Sequence, residues 1–273
     1  MTTTELAPYR VRHPLKFRLL QVARTETLSP RLRRITLTGD DLAGFTSASF
    51  NDHIKLMFPL PGQEKPVLPM AGPNGPVFPE DSPRPPARDY TPRRYNAERQ
   101  ELDIDFVLHG DGPASTWAAT AKPGDYVGTG GPRGSLVIPA EYDWHLLVGD
   151  ETALPAIARR LEELPEGKPV FVIAEVADSA EHIGFDTRTQ LEALWVDRDS
   201  IEPGTHEDLE QAVRRFALPE GDGFIWAAGE NSAIRAIRRH LVGERGFDKT
   251  RIHAASYWKR GSTDGKATLN DDD

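Results

Sequence analysis

The stretch "RDYTPRRYN", Arg88 to Asn96, gathers three arginines and two tyrosines. Pro92 disfavours helix at Thr91, so the segment is expected to run extended, with Arg88 and Tyr90 on one face and Arg93 beyond the proline. Guanidinium groups pair bidentately with phosphate, and a tyrosine ring stacks on flat surfaces. Together they suit a ligand with a planar ring system and phosphates. A charged strand on a solvent face is the other reading, and spacing alone leaves both open.

Three further turns could bind anions. "HGDGPASTWAATAKPGD" carries Gly110, Gly112 and Pro113 before a short helix starting near Ala114. Backbone N–H groups of Ala114 and Ser115 would face outward at that helix start, unless Ser115 simply caps a tight turn. "LLVGDETALPA" is a strand-to-helix turn of the kind that holds a pyrophosphate. Its only glycine is Gly149, and Asp150 and Glu151 bring negative charge, so Thr152 as a plain helix cap competes with the phosphate reading. "WAAGENSAIRAI" repeats the arrangement at a later strand end. Two such turns at the carboxyl ends of parallel strands define a nucleotide-type crevice. Arg235, Arg238 and Arg239 could reach a phosphate there or form a solvated face. With no cysteine and eight histidines lacking ligand spacing, thiol and metal-centre chemistry find no support.

Two kinds of element must position these groups. From Lys16 to about Pro139, "RRITLTG", "DHIKLMFP" and "ELDIDFVLH" alternate polar and apolar residues, and "SLVIPA" is expected to close the set. This is the pattern of an antiparallel barrel or sandwich. Residues 59–87 are so rich in proline that they read as an excursion loop, either mobile or functional. After Tyr142 the rhythm becomes strand-helix alternation: "HLLVGD", "TALPAIARRLEEL", "PVFVIAEV", "HEDLEQAVRRF", "GFIWAAG", "SAIRAIRRHLVGE" and "RIHAASYW". That predicts a parallel sheet with crossover helices. Residues 1–140 are thus assigned to a β domain and 141–273 to an α/β domain, with a frayed tail "GSTDGKATLNDDD".

A length of 273 residues accommodates both domains, and 38% apolar with 27% charged residues reads as globular. A net charge of −9 gives no reason to expect nucleic acid. No signal-peptide pattern opens the chain, and no run of about 18 apolar residues occurs. A cytoplasmic, monomeric enzyme or binding protein is expected, with no membrane association.

Taken in order, "DHIKLMFP", "RDYTPRRYN", "DIDFVLHGDGPASTWA", "GGPRGS", "LLVGDETALPAIARRLEEL", "WAAGE" and "YWKRG" make the chain resemble the ferredoxin-reductase-like flavoproteins. Within them it looks most like the siderophore-interacting family of ferric-siderophore reductases. The resemblance spans about Phe17 to Gly261 and implies a Greek-key-type barrel for FAD followed by a parallel-sheet domain for NADH or NADPH. By that likeness Tyr90 and Thr91 lie at the isoalloxazine, with Arg88 at the phosphates and Arg93 alongside. His109, Gly110, Gly112, Ala114 and Ser115 cradle the pyrophosphate, with Trp117 beside them. His53 and Lys55 border the flavin, and Trp258 is an aromatic near it. Asp150, Glu151, Thr152 and Ala153 form the nicotinamide-nucleotide turn. Lys55, Lys259 and Arg260 supply positive charge for an anionic ferric chelate, while Ser256 stands where glycine is expected.

The activity implied is reduction of ferric siderophores by NAD(P)H through FAD. The alternatives are a related reductase feeding a protein acceptor or free flavin, and a siderophore carrier without activity. Ferredoxin as an alternative donor stays open. So does the choice of nucleotide, since Glu175 and Asp178 would repel a 2′-phosphate and Arg188 or Arg235 could compensate.

Overall fold

The computed structural model describes residues 6–73, 75–110, 112–199, 201–262 and 267–268. Its contacts divide the chain into two units, Tyr9–Val137 and a second built from Ile138 onward together with the described residues before Tyr9. The expected division at 140/141 therefore moves to 137/138. The start of the chain also changes sides, because the Tyr142 hydroxyl donates to the Leu6 carbonyl at 2.9 Å.

The first unit contains β1 (Tyr9–Arg12), β2 (Phe17–Ser29), β3 (Leu32–Thr38), β4 (Ile54–Met57), β5 (Met70–Gly72), β6 (Gly75–Val77), β7 (Ala87–Tyr90), β8 (Arg94–Asn96) and β9 (Glu101–Val107). Helix α1 (Pro113–Thr120) follows, then β10 (Tyr126–Gly130) and β11 (Gly134–Val137). Seven of these strands form an antiparallel sheet in the order β7-β4-β10-β2-β3-β9-β8. Its two edge strands are separated in sequence only by Thr91, Pro92 and Arg93. Laid flat, the strands would put those edges roughly 29 Å apart, whereas the chain from Tyr90 to Arg94 reaches at most about 14 Å. The sheet must therefore curl into a barrel-like form, and "RDYTPRRYN" is the seam that links its two edge strands.

Leu20, Ile35, Leu37, Ile54, Ile104, Phe106 and Val127 fill the interior. Beside the seam Arg93 is buried, its backbone N–H donating to Asp103 O at 2.9 Å and its Nε lying 3.7 Å from Asp105 Oδ2. Asp105, on β9, also takes a bidentate pair from Arg34 of β3 at 2.7 and 2.8 Å. Tyr95 anchors the far side, its hydroxyl donating to Leu42 O at 2.9 Å and its ring 5.1 Å from Phe45.

Two expectations change here. "SLVIPA" does not complete the barrel: β11 pairs with β1 in a separate two-stranded sheet. The proline-rich segment is not structureless either, because β5 and β6 form a hairpin pairing Met70 with Val77. Pro76 is tolerated there since a two-stranded ribbon has free edges. The segment is tied back by Phe58 N–H to Pro86 O at 2.9 Å and by Lys65 over the Tyr126 ring at 4.2 Å.

The second unit holds β12 (Trp144–Gly149), α2 (Leu154–Glu163), β13 (Pro169–Val176), β14 (Gln190–Asp197), α3 (Asp208–Arg215), β15 (Gly223–Glu230), α4 (Asn231–Arg238), β16 (Ile252–Trp258) and β17 (Ala267–Thr268). The sheet order is β14-β13-β12-β15-β16-β17, parallel except for β17. Strand β14 was not anticipated, its alternation obscured by Glu192 and exposed Leu194. The tail expected to fray supplies β17, with its remaining positions 263–266 and 269–273 outside the described residues. Among the described residues, no helix is long and apolar enough to cross a membrane.

Asp105→Ala would leave two arginines at the barrel wall without their carboxylate. Breaking a buried pair this way costs about 3–5 kcal/mol. Urea unfolding followed by tryptophan fluorescence should show a loss of that order; a loss below about 1 kcal/mol would mean that the wall does not depend on this carboxylate.

Candidate functional site

In the first unit the sequence-derived residues converge on Phe106. The Tyr90 ring sits 4.4 Å from it and the Trp117 ring 5.8 Å, so the end of β7 and helix α1 share one aromatic base. Burial pushes the Tyr90 hydroxyl well above its ordinary value and keeps it neutral. Arg88 is half-buried, one N–H donating to Ala87 O at 2.8 Å. Thr91 is buried at the seam. Arg93, expected at the cofactor, is buried with its Nε 3.7 Å from Asp105 Oδ2.

Helix α1 begins after Gly112 with Pro113 in its first turn, and among the described residues no side chain caps its N-terminus. Proline has no N–H, and the first intrahelical bond runs from Thr116 N–H to Gly112 O at 2.9 Å. The N–H groups of Ala114 and Ser115 are therefore the ones presented outward. Ser115 does not cap its own helix. Its hydroxyl accepts from His109 N–H at 2.9 Å and so fixes the loop before the helix. No described atom lies within 4 Å of where a Cβ on Gly110 or Gly112 would stand, which leaves the approach to those N–H groups open. An uncapped helix start, an arginine and an aromatic platform in one unit fit the pyrophosphate and ring of FAD.

Lys55 and Asp89 face each other across β4 and β7, Nζ 3.0 Å from Oδ1, with the lysine 54% exposed. His53, also exposed, immediately precedes β4. The other expected cations, Lys259 and Arg260, follow β16 in the second unit and are exposed.

In the second unit the chain reverses its order across the sheet between β12 and β15, which creates a crevice at their carboxyl ends. Both turns lining it are closed by the protein's own carboxylates. Asp150, 4% exposed, accepts from Thr152 N–H at 2.9 Å and Thr152 Oγ1 at 2.5 Å on one oxygen. Its other oxygen accepts from Glu230 N–H at 2.9 Å and Trp258 Nε1 at 2.8 Å. Glu230 caps α4 through Ser232 and Ala233 and also receives Arg260 N–H at 3.3 Å. These two helix starts are thus not vacant anion sites, contrary to one reading of the sequence. Thr152 is used internally and Ala153 is fully buried.

The glycines here are dictated by space. A Cβ on Gly149 would fall 2.4 Å from Ala153 Cβ and 2.5 Å from Ala228 O. Gly229, at φ +152, has Asp150 Oδ2 2.6 Å from where its Cβ would be. Burial, with Glu151 alongside, pushes the Asp150 carboxyl above its ordinary range, and the bonds from Thr152 and Trp258 pull it back. Ser256 is accommodated because its hydroxyl donates to Trp258 O at 3.2 Å.

Sequence reasoning missed Arg198. Only 1% exposed, it takes Glu151 bidentately at 2.6 and 2.7 Å and Glu175 at 3.2 Å, tying together the ends of β12, β13 and β14. Its place just past an unanticipated strand hid it. Glu151 and Glu175, considered for the nucleotide, are engaged in this cluster. Asp178 caps a turn through Ala180 N–H, and Arg188 and Arg235 are exposed.

Burial pushes Glu175 up to about 7 against the pull of Arg198. A carboxyl bound more tightly to its proton when folded stabilises fully below about pH 4.5, and that contribution is lost as pH rises through about 7. Unfolding free energy should fall by about 1–3 kcal/mol across this window. Glu175→Gln should flatten the decline in denaturant titrations at several pH values; an unchanged decline would place its origin elsewhere.

Residues 21–136 match the siderophore-interacting FAD-binding domain and residues 142–261 match the siderophore-interacting protein domain. The NADPH-dependent ferric-chelate reductase of Escherichia coli K12 is 41% identical, covering 94% of this chain and 99% of the relative. Ferric vibriobactin reductase ViuB of Vibrio cholerae is 37% identical over 90% of this chain and 91% of its own. A siderophore utilization protein from T. fusca, solved by crystallography, superimposes with TM-score 0.86 at 42% identity, covering 96% of this chain and 98% of that one. The fold is ferredoxin-reductase-like, an antiparallel barrel-type domain followed by a parallel-sheet domain. The chain belongs to the siderophore-interacting protein family.

Proposed function

We propose that the protein is a cytoplasmic, monomeric FAD-dependent reductase that takes electrons from NADH or NADPH and reduces ferric siderophores, releasing ferrous iron. The observation that carries this reading is the open N-terminus of α1 beside the Tyr90–Phe106–Trp117 platform. Per turnover, one NAD(P)H and two ferric chelates give NAD(P)+, two ferrous ions and one proton. FAD bound in the first unit supplies the coupling between two-electron donors and one-electron acceptors.

The chain's own residues bind and orient. Ala114 and Ser115 N–H groups and the Arg88 guanidinium offset phosphate charge. Tyr90, kept neutral, offers a flat wall without adding charge. The crevice between β12 and β15 receives the nicotinamide nucleotide. Lys55, Lys259 and Arg260 attract an anionic chelate, whose iron keeps its own ligands, so no protein ligand set is needed. Burial, with Arg160 alongside, pushes His145 down to about 3 and keeps it neutral within the sheet.

Purified protein should be yellow, and NAD(P)H should drive trapping of Fe(II) from a ferric siderophore. Reduction of ferredoxin or free flavin without any ferric chelate would overturn the choice of acceptor, and a colourless, inactive protein that binds siderophore would favour a carrier. Arg88→Ala should weaken FAD retention by about tenfold to a hundredfold, as expected for a lost charge-assisted pair. Equal retention in flavin titrations would remove Arg88 from the cofactor site.

A further inference from the structure

We infer that Asp150 is a positioning residue for the nicotinamide nucleotide: its carboxylate holds the indole of Trp258 as a fixed wall of the crevice between β12 and β15. This rests on the proposal that the crevice receives NAD(P)H. At this turn one reading of the sequence is a place for a ligand phosphate, the other a plain helix cap. In the structure the carboxylate occupies that place, and its four donors come from three separate segments: Thr152 after β12, Glu230 at the end of β15, and Trp258 at the end of β16.

The donor set determines which side chain can serve. Three of the four partners, the two backbone N–H groups and the indole N–H, can only donate, while the Thr152 hydroxyl can also accept. An asparagine with its oxygen toward Glu230 and Trp258 would keep those two bonds and turn its NH2 onto Thr152, losing only the bond from Thr152 N–H, whereas an alanine removes all four. Trp258 has a single polar side-chain atom, so its bond to Asp150 Oδ2 fixes the rotation of the ring. The opposite corner of the indole is also braced: a Cβ on Gly204 would lie only 3.3 Å from Trp258 Cη2. The backbone joins in, because Trp258 sits opposite Glu230 across a shift in the β15–β16 ladder and its carbonyl accepts from Ser256. Arg260 N–H then bonds Glu230, so the segment leaving the sheet is held by the two carboxylates that cap the crevice turns. A flat apolar wall held in this way can align a planar ring without reorganising when it arrives.

The test uses full-length holo-protein with Asp150→Ala, Trp258→Phe and the double variant. Each single variant should raise KM for NAD(P)H by about tenfold or more. Flavin content is read by absorbance for each variant, and KM is compared on flavin-loaded protein. The double variant should be no worse than the poorer single, since both break one contact. Calorimetric titration with NAD+ and NADP+ should show the same weakening without turnover. Unchanged KM and binding in Trp258→Phe, or losses that multiply in the double variant, would overturn the inference. If Asp150→Ala does not fold, Trp258→Phe decides alone, since it keeps the carboxylate and removes its indole partner. A parent protein that binds neither nucleotide would instead overturn the proposed donor, and with it the positioning role.

Discussion

The shortness of the link from Tyr90 to Arg94 constrains the whole first unit. Three residues join the two edges of a seven-stranded sheet, and no flat or gently twisted sheet can satisfy that. Curling follows, and it brings the end of β7 close to the start of β8. Pro92 sits at the junction, where a missing N–H costs least because the ladder of β7 has ended and that of β8 has not begun. The same curling places Tyr90 over Phe106, a residue of the strand that pairs with β8. The motif that reads as a ligand grip is thus first a structural joint, and its grip depends on the joint.

The two units treat helix N-termini in opposite ways. Helix α1 starts with glycine and proline and, among the described residues, has no side-chain cap, so its N–H groups remain for an incoming anion. In the second unit Asp150 and Glu230 satisfy the corresponding groups from within. The arrangement costs the second unit two buried carboxylates, offset by eight hydrogen bonds that lock three strand ends together. It also makes clear why the glycine fingerprint of dinucleotide turns is missing. Glycines stand at Gly149 and Gly229 because strands and carboxylate crowd there, not because a pyrophosphate must approach.

Much of this was legible in the residues. The alternation of "ELDIDFVLH" and the buried run "PVFVIAEV" give β9 and β13, since period and burial speak directly through side-chain type. Strand β14 did not announce itself because an edge strand keeps charged and exposed residues on both faces. The hairpin in the proline-rich segment was hidden by prolines that a two-stranded ribbon tolerates. Of the candidate site, the types and order of residues pointed to the right turns. What they could not convey is which partner each charge takes, because Asp150 finds Trp258 across 108 positions and Glu151 finds Arg198 across 47.

That choice of partner sorts the basic residues, and burial decides the sorting. Arg34, Arg93 and Arg198 look no different in sequence from Arg88, yet each faces a carboxylate inside the fold. Removing such a partner costs several kcal/mol, so these arginines cannot be lent to a ligand. Lys55 is in the opposite position. Its own side chain is 54% exposed, although its partner Asp89 is only 19% exposed. The Lys55 ammonium thus remains open to solvent, and Lys259 and Arg260 are exposed as well. In a chain of net charge −9, attraction of an anion must come from exposed cations rather than from the overall field. The groups able to meet a substrate are therefore those that the fold itself does not need.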